Sequence, residues 1–236
     1  WIKAKESSPG SISAVWATKN TRGAIWDAMA ARETFVTSGP RIKVRFFGGA
    51  DLGAASTNPR ELVEHGYRNG VPMGGTIAKV AKAPTFTVWA SKDPDGANLD
   101  RIQIIKGTVD ANGEPQDEVI DVVWSGERKR GSDGKVPTVG NTVDLTQATY
   151  ANTIGSAELM GTWTDPAFDP DKPALYYVRV LEIPTPRWTT YDAVRNKLAL
   201  HDDVPATVQE RAWTPPSWHT PCSAASHEPQ GPSRRD

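Results

Sequence analysis

The chain has 236 residues, enough to bury the core of one large domain, and its 27 basic and 28 acidic residues give a formal net charge of −1. This balance, without a long block of like charges, predicts no nucleic-acid partner and no polybasic membrane anchor. No apolar stretch approaches the roughly 18 residues of a spanning helix, so we expect a soluble protein without a transmembrane segment. Cys222 is the single cysteine, which excludes an internal disulfide and leaves a cytoplasmic or a periplasmic location open.

The first residues predict a sequence that is already under way. The chain begins at Trp1, without an initiator Met and without the apolar core of a signal peptide. The first regular element is a helix that follows Asn20 and Thr21, either of which can cap it. Its apolar residues recur at helical spacing at Ala24, Ile25, Ala28 and Met29.

After this helix the composition changes to β-branched and aromatic residues, which predicts a mainly β chain. The run from Arg41 to Phe46 alternates apolar and basic residues, as a half-exposed strand does. We predict a short helix at 58–68, a turn or loop at 70–75 and a last helix at 190–200. Further strands are predicted at 34–37, 85–91, 101–109, 118–124, 157–164, 174–183 and 209–213. Serial strands of this kind predict an antiparallel β-sandwich-like domain.

The motifs do not complete a catalytic centre. The acidic loop 93–100 has oxygen-bearing side chains at alternate positions but fails the EF-hand pattern, so we interpret it as a turn between two strands. Neither the glycine-rich residues 70–75 nor Ser38 has the context of a phosphate-binding loop or an activated nucleophile. No close histidine pair is present, and we predict ordinary surface or loop roles for the four histidines. These are His65, His201, His219 and His227. We therefore predict no catalytic residue and no metal ligand in this chain.

The strongest candidate for ligand contact is the proline-stiffened segment 184–191. It presents Arg187 beside the rings of Trp188 and Tyr191, a group that can hold an anionic or planar ligand. We expect these side chains at the edge of the β domain, because two prolines end the preceding strand. The alternative is an arginine that stacks on a tryptophan and closes one end of the domain.

Several short segments in a fixed order carry a family resemblance. They are 12–17, 20–22, 32–42, 70–75, 96–103, 139–144, 181–191, 209–214 and Trp218. Together they resemble the bacterial family known only as domain of unknown function 3604, from near Trp1 to about residue 221.

The resemblance implies a larger protein. Members of this family look like long proteins whose N-terminal part is similar to the polymerase-and-histidinol-phosphatase (PHP) superfamily, a distorted β/α barrel that binds divalent metals. Residues 1–33 would then be the end of the barrel and 34–221 the β-sandwich-like C-terminal domain. The composition of 222–236, with almost nothing to bury, separately predicts a disordered tail. The metal-binding His-x-His pair would lie in the missing upstream domain, so no metal ligand is carried over to this chain.

Three functions remain open. In the first, the chain is the accessory β domain of a metal-dependent ester hydrolase that acts on phosphate-like esters, and it caps or buttresses the active site while being inactive alone. In the second, it is a non-catalytic ligand- or glycan-binding module that uses aromatic residues such as Trp188 and Trp218. In the third, it is purely structural.

Overall fold

The computed structural model describes residues 3–8, 10–50, 52–53, 56, 58–78 and 80–221. Strands make up 37% and helices 15% of these described residues, which confirms the mainly β prediction. The predicted disordered tail, which includes Cys222 and His227, lies outside the described residues. Within them, no helix has the length and the apolar character needed to cross a membrane.

The strands are numbered in chain order. They are β1 (Ile12–Val15), β2 (Thr34–Thr37), β3 (Lys43–Gly49), β4 (Val71–Pro72), β5 (Thr76–Ala78), β6 (Thr85–Ser91), β7 (Leu99–Val109), β8 (Pro115–Trp124), β9 (Glu158–Thr164), β10 (Ala174–Glu182), β11 (Thr185–Pro186), β12 (Thr207–Val208), β13 (Arg211–Trp213) and β14 (Ser217–Thr220). The helices are α1 (Arg22–Ala30), α2 (Pro59–Asn69) and α3 (Trp188–Asn196).

Within the described residues, the strands form an eight-stranded sheet, a four-stranded sheet and the pair β11–β12. In the large sheet, β10 pairs along one edge with β7, which continues to β8, and along the other edge with both β13 and β14. From there the sheet extends through β13 to β2 and β1, and through β14 to β5. The small sheet has the order β4-β3-β6-β9. The pairings are antiparallel, apart from the parallel pair β14–β5.

One hydrophobic core contains residues of both sheets. Phe86 of the small sheet contacts Tyr176 of the large one, with ring centroids 4.4 Å apart. Along β10, buried and half-buried residues alternate, so Tyr176 and Val178 face the core while Tyr177 faces the opposite side of the sheet. Each large apolar side chain buried in this way contributes about 2 kcal/mol to the free energy of unfolding. The alternation thus fixes which side of β10 is available for contacts outside the core.

The structure differs from the predicted elements at short strands. Strand β1 was not predicted; it pairs with β2, so the large sheet extends across the domain boundary predicted at residue 33. The segment predicted as a turn or loop at 70–75 contains β4 and then a turn. In that turn Gly74 has φ +81°, and a Cβ there would lie 2.5 Å from the Arg32 carbonyl oxygen. Only glycine fits this left-handed position against the neighbouring backbone.

Candidate functional site

The side chains of Arg187 and Trp188 hold the N-terminal segment of the chain. Arg187 is the N-cap residue of α3, and its guanidinium donates to the carbonyl oxygen of Lys5 and, at 3.1 Å, to that of Ser7. Trp188 Nε1 donates to the same Ser7 oxygen at 2.8 Å. The Arg187 guanidinium carbon lies 5.7 Å from the centroid of the Trp188 ring. Both side chains are half-buried, and together they clamp residues 5–7 onto the start of α3.

Two further contacts fix the same segment. Lys5 forms an ion pair with Asp203, and Ser8 Oγ donates to the Ser38 carbonyl oxygen at 3.5 Å. The ion pair is partly exposed and contributes at most about 1 kcal/mol. The clamp therefore depends mainly on Arg187 and Trp188, whose donors meet backbone carbonyls.

Tyr191 lies one turn further along α3 and belongs to a different group of side chains. Trp188 and Tyr191 line an open cavity of about 340 Å³ together with Asp192 and Arg195, and Arg187 is not among its lining residues. Burial raises the pKa of the Tyr191 hydroxyl. The structure thus brings two of the three predicted site residues into one cavity and turns the third towards the N-terminal segment. Their role in ligand binding stays a prediction.

A buried carboxyl group lies close to this end of the domain and was missed by the sequence reasoning. Glu182, the last residue of β10, is 2% exposed, and its Oε1 has no hydrogen-bond partner within the described residues. Burial, reinforced by the nearby carboxylates of Glu210 and Asp93 and opposed by Lys92, raises the pKa of Glu182 to about 8. The carboxyl group is therefore mostly protonated at neutral pH. Its signal was present in the alternation of β10, which assigns Glu182 to the same side as Tyr176 and Val178.

The same buried group affects a neighbouring tyrosine. Burial raises the pKa of Tyr150, and Tyr191, Glu182 and Asp93 raise it further, in that order. Tyr191, Tyr150 and Glu182 therefore share one electrostatic environment.

The acidic loop beside Glu182 is neutralised by side chains of this chain. It connects β6 to β7, as predicted. Arg41 donates to Asp93 with its backbone N–H at 2.7 Å and with Nε and Nη2 at 3.1 Å each, which lowers the pKa of Asp93 to about 2. Lys92 Nζ donates to the carbonyl oxygens of Asp93, Pro94 and Gly96 at 2.8–3.2 Å. Carbonyl and carboxylate oxygens that could serve as cation ligands are thus engaged by Arg41 and Lys92.

Ser38 forms a structural link rather than an exposed nucleophile. Its hydroxyl donates to the carboxylate of Glu210, and it accepts from the backbone N–H of Arg211 at 2.8 Å. Glu210 in turn accepts, with its carbonyl oxygen, a hydrogen bond from the backbone N–H of Glu182 at 2.9 Å. These bonds tie the start of the β2–β3 loop to the end of β10.

In the part of the chain that the structure describes, no three His, Cys, Asp or Glu side chains converge in a group that could hold a metal ion. His201 is exposed, and His65 bonds to the Leu52 carbonyl oxygen at 2.8 Å. For His219 the predicted surface or loop role is wrong. It lies buried on the inward side of β14, between the carbonyl oxygens of Ile77 and Pro170.

The comparison with known families identifies the chain. The family model described as "Protein of unknown function (DUF3604)" matches residues 1–221. The chain belongs to the DUF3604 family. This confirms the predicted resemblance, and the match ends where the predicted tail begins. No curated protein and no solved structure matches the chain. The description of the DUF3604 family assigns no activity, so the proposed function rests on the geometry of the structure.

Proposed function

We propose that this DUF3604 chain is the accessory β domain of a metal-dependent ester hydrolase and that it packs against the catalytic domain through α1. The exposed apolar side of α1 carries this proposal. Trp26 is 68% and Met29 is 52% exposed, and Ala28 is the one residue of the helix that is buried. Trp26 and Met29 are three positions apart and lie on the same side of the helix. An apolar helix side of this kind normally packs against another element.

The position of α1 makes its apolar side a fixed surface. The helix is capped by Thr21, whose Oγ1 accepts from the backbone N–H of Ala24 at 3.3 Å. It is preceded by β1 and followed by β2, which pair with each other in the large sheet. Both ends of the helix are therefore anchored on the β domain, and little ordering entropy remains to be lost when a partner binds.

The clamp on the N-terminal segment supports the same proposal. Arg187 and Trp188 fix residues 5–7 against α3, and α1 follows soon after in the chain. Residues 5–7 and α1 both belong to residues 1–33, the part of the sequence that resembles the end of a PHP-like barrel. In the proposed parent protein, the barrel would pack on α1, and the clamp would set the path of the chain that joins the two domains.

The proposed chemistry belongs to the upstream barrel. Its divalent metals would activate a water molecule and polarise a phosphate-like ester. The β domain, as a sandwich of the two larger sheets, would cap or buttress that site. The sequence-based prediction that Arg187, Trp188 and Tyr191 contact the substrate becomes, in this proposal, a role for Arg187 and Trp188 in positioning the two domains.

The test compares two exposed apolar residues in a full-length parent that contains the barrel. Trp26→Ser should reduce hydrolysis of p-nitrophenyl phosphate in the presence of Mn²⁺ by about tenfold. Leu198→Ser, an equally exposed position after α3, should leave it unchanged. Equal effects of the two variants, or full activity of Trp26→Ser, would contradict a docking role for α1.

A glycan-binding role is the second candidate, and a different part of the molecule favours it. Trp188, one of the two tryptophans predicted for that role, is engaged with Ser7. Trp218 is 43% exposed on the outer side of the large sheet and lines a groove there.

A further inference from the structure

A groove crosses the outer side of the large sheet, away from the core. Its floor is formed by residues that the strand pairing places side by side. Leu175 of β10 pairs with Trp218 of β14 on one side and with Gly107 of β7 on the other. Tyr177, two residues along β10, pairs with Ile105 of β7. Because alternate residues of a strand face the same side, these five residues form one continuous surface.

The groove has the size of a small-molecule site. It encloses about 450 Å³. One of its two walls is the β7–β8 hairpin, which contributes Val109, Pro115, Gln116 and Asp117. Ligand pockets typically enclose about 300–1,000 Å³. A Cβ at Gly107 would lie 2.9 Å from Leu175 Cγ, so this glycine keeps the floor low between the two walls. Trp218 and Val109 remain 43% and 47% exposed, which leaves apolar surface open to a ligand.

The lining residues select the chemistry of that ligand. Aromatic and aliphatic side chains form the floor and one wall, while the carboxylate of Asp117, which pairs with Gly107 and so shares the outer side, stands on the other wall. Asp117 is the charged residue among those that line the groove, and no lining cation could pair with a phosphate or carboxylate. The groove therefore disfavours anionic ligands and acidic membrane surfaces. It suits a molecule with one apolar face and several neutral hydroxyl groups.

We infer that this groove binds a neutral oligosaccharide. The rings of Tyr177 and Trp218 would contact the C–H face of the sugar, because the face of an aromatic ring is electron-rich. Asp117 would accept hydrogen bonds from the sugar hydroxyls. Gln116 pairs with Thr108 and faces the opposite side of the hairpin, where its side chain hydrogen-bonds to Asp110. This inference does not depend on the hydrolase proposal, since the groove lies on the β domain and α1 does not line it.

The experiment is affinity electrophoresis of the purified chain in gels that contain one neutral polysaccharide each: hydroxyethyl cellulose, xylan, mannan, laminarin or starch. At least one should retard the wild-type chain, and titration calorimetry with the matching oligosaccharide should give a Kd. Tyr177→Ala and Trp218→Ala should each weaken binding by about tenfold or more. Trp26→Ala removes an exposed tryptophan outside the groove and should bind as the wild type does. Far-ultraviolet circular dichroism would establish that each variant is folded.

Three outcomes would overturn the inference. One is the absence of retardation by all five polysaccharides together with no calorimetric binding at millimolar oligosaccharide. Another is binding that Tyr177→Ala and Trp218→Ala leave intact. The third is self-association, measured by light scattering, that Trp218→Ala abolishes, since this would assign the groove to a second copy of the chain. Trp26 is the control for the groove, whereas it is the tested residue in the α1 proposal. Failure of the α1 proposal therefore gives a different result from failure of the groove proposal.

Discussion

Helices α1 and α2 lie at the surface of the same domain, yet they use their apolar residues in opposite ways. α2 directs Leu62 inward, where it packs with Phe47 and Leu52. A Cβ at Gly66 of α2 would lie 2.5 Å from the Phe47 ring, so this helix lies directly against the sheet. α1 instead leaves its largest apolar side chains, Trp26 and Met29, in solvent. The difference shows that α2 belongs to the core of this domain, whereas α1 has a large apolar surface without a partner among the described residues.

The largest expected effect is the difference in the free energy of unfolding between a variant of α2 and a variant of α1. Leu62→Ala in α2 leaves a cavity and should lower the free energy of unfolding by about 3 kcal/mol. Met29→Ala in α1 removes an exposed side chain and replaces it with a better helix former, so its effect should stay within about 0.5 kcal/mol. Urea unfolding of the isolated chain measures both values. Similar losses in the two variants would mean that α1 is as much a part of the core as α2.

Glu182 shows the converse feature, a polar group buried without a partner. Its pKa of about 8 lies above its ordinary value of 4.5, so the folded protein retains a proton that the unfolded chain releases. The free energy of unfolding should therefore fall as pH rises from about 4.5 to about 8, and this contribution should stop changing above pH 8.

Glu182→Gln removes the titration and should flatten this decline, so the variant gains stability relative to the wild type as pH rises. Glu64→Gln, an exposed position in α2, serves as the matched control and should follow the wild-type profile. Unfolding by urea at pH 5, 6, 7 and 8 gives the comparison. Parallel profiles for wild type and Glu182→Gln would show that Glu182 is already ionised at the lower pH values.

The clamp on the N-terminal segment should have a smaller effect on stability. Arg187→Ala removes the donors to Lys5 and Ser7 and should cost about 1 kcal/mol, with faster amide hydrogen exchange confined to residues 5–8. In the full-length parent, the same change should reduce activity more than it reduces thermal stability. If stability and activity fell in proportion, Arg187 would serve packing alone. Arg195→Ala, on the exposed side of α3, is the control.

The sequence predicts the long elements because their signals are local. β6 has its predicted bounds, 85–91, and the cap of α1 is Thr21, one of the two residues predicted for that role. β5 and β14 escape such reasoning, because each consists of a few residues and exists through its pairing with a strand far away in the chain. The predicted site shows the same limit. The composition of 184–191 indicates a cationic and aromatic group, but its contacts with residues 5–7 follow from the fold.

The isolated chain should hydrolyse no phosphate ester. In the hydrolase proposal the groups that activate water belong to the upstream barrel, and Ser38 is engaged with Glu210 and Arg211. Assays with p-nitrophenyl phosphate, with and without Mn²⁺, should give rates equal to the buffer control. Metal-dependent turnover that survives purification to homogeneity would place the active site in this chain.

Binding between the isolated chain and the separately produced upstream domain tests the role of α1 most directly. Titration calorimetry should give a measurable Kd for the wild-type chain. Trp26→Ala should weaken this binding by about tenfold or more, and Trp218→Ala should leave it unchanged. If the upstream domain bound both variants as it binds the wild type, or bound none of them, the exposed side of α1 would not be the surface on which the catalytic domain packs.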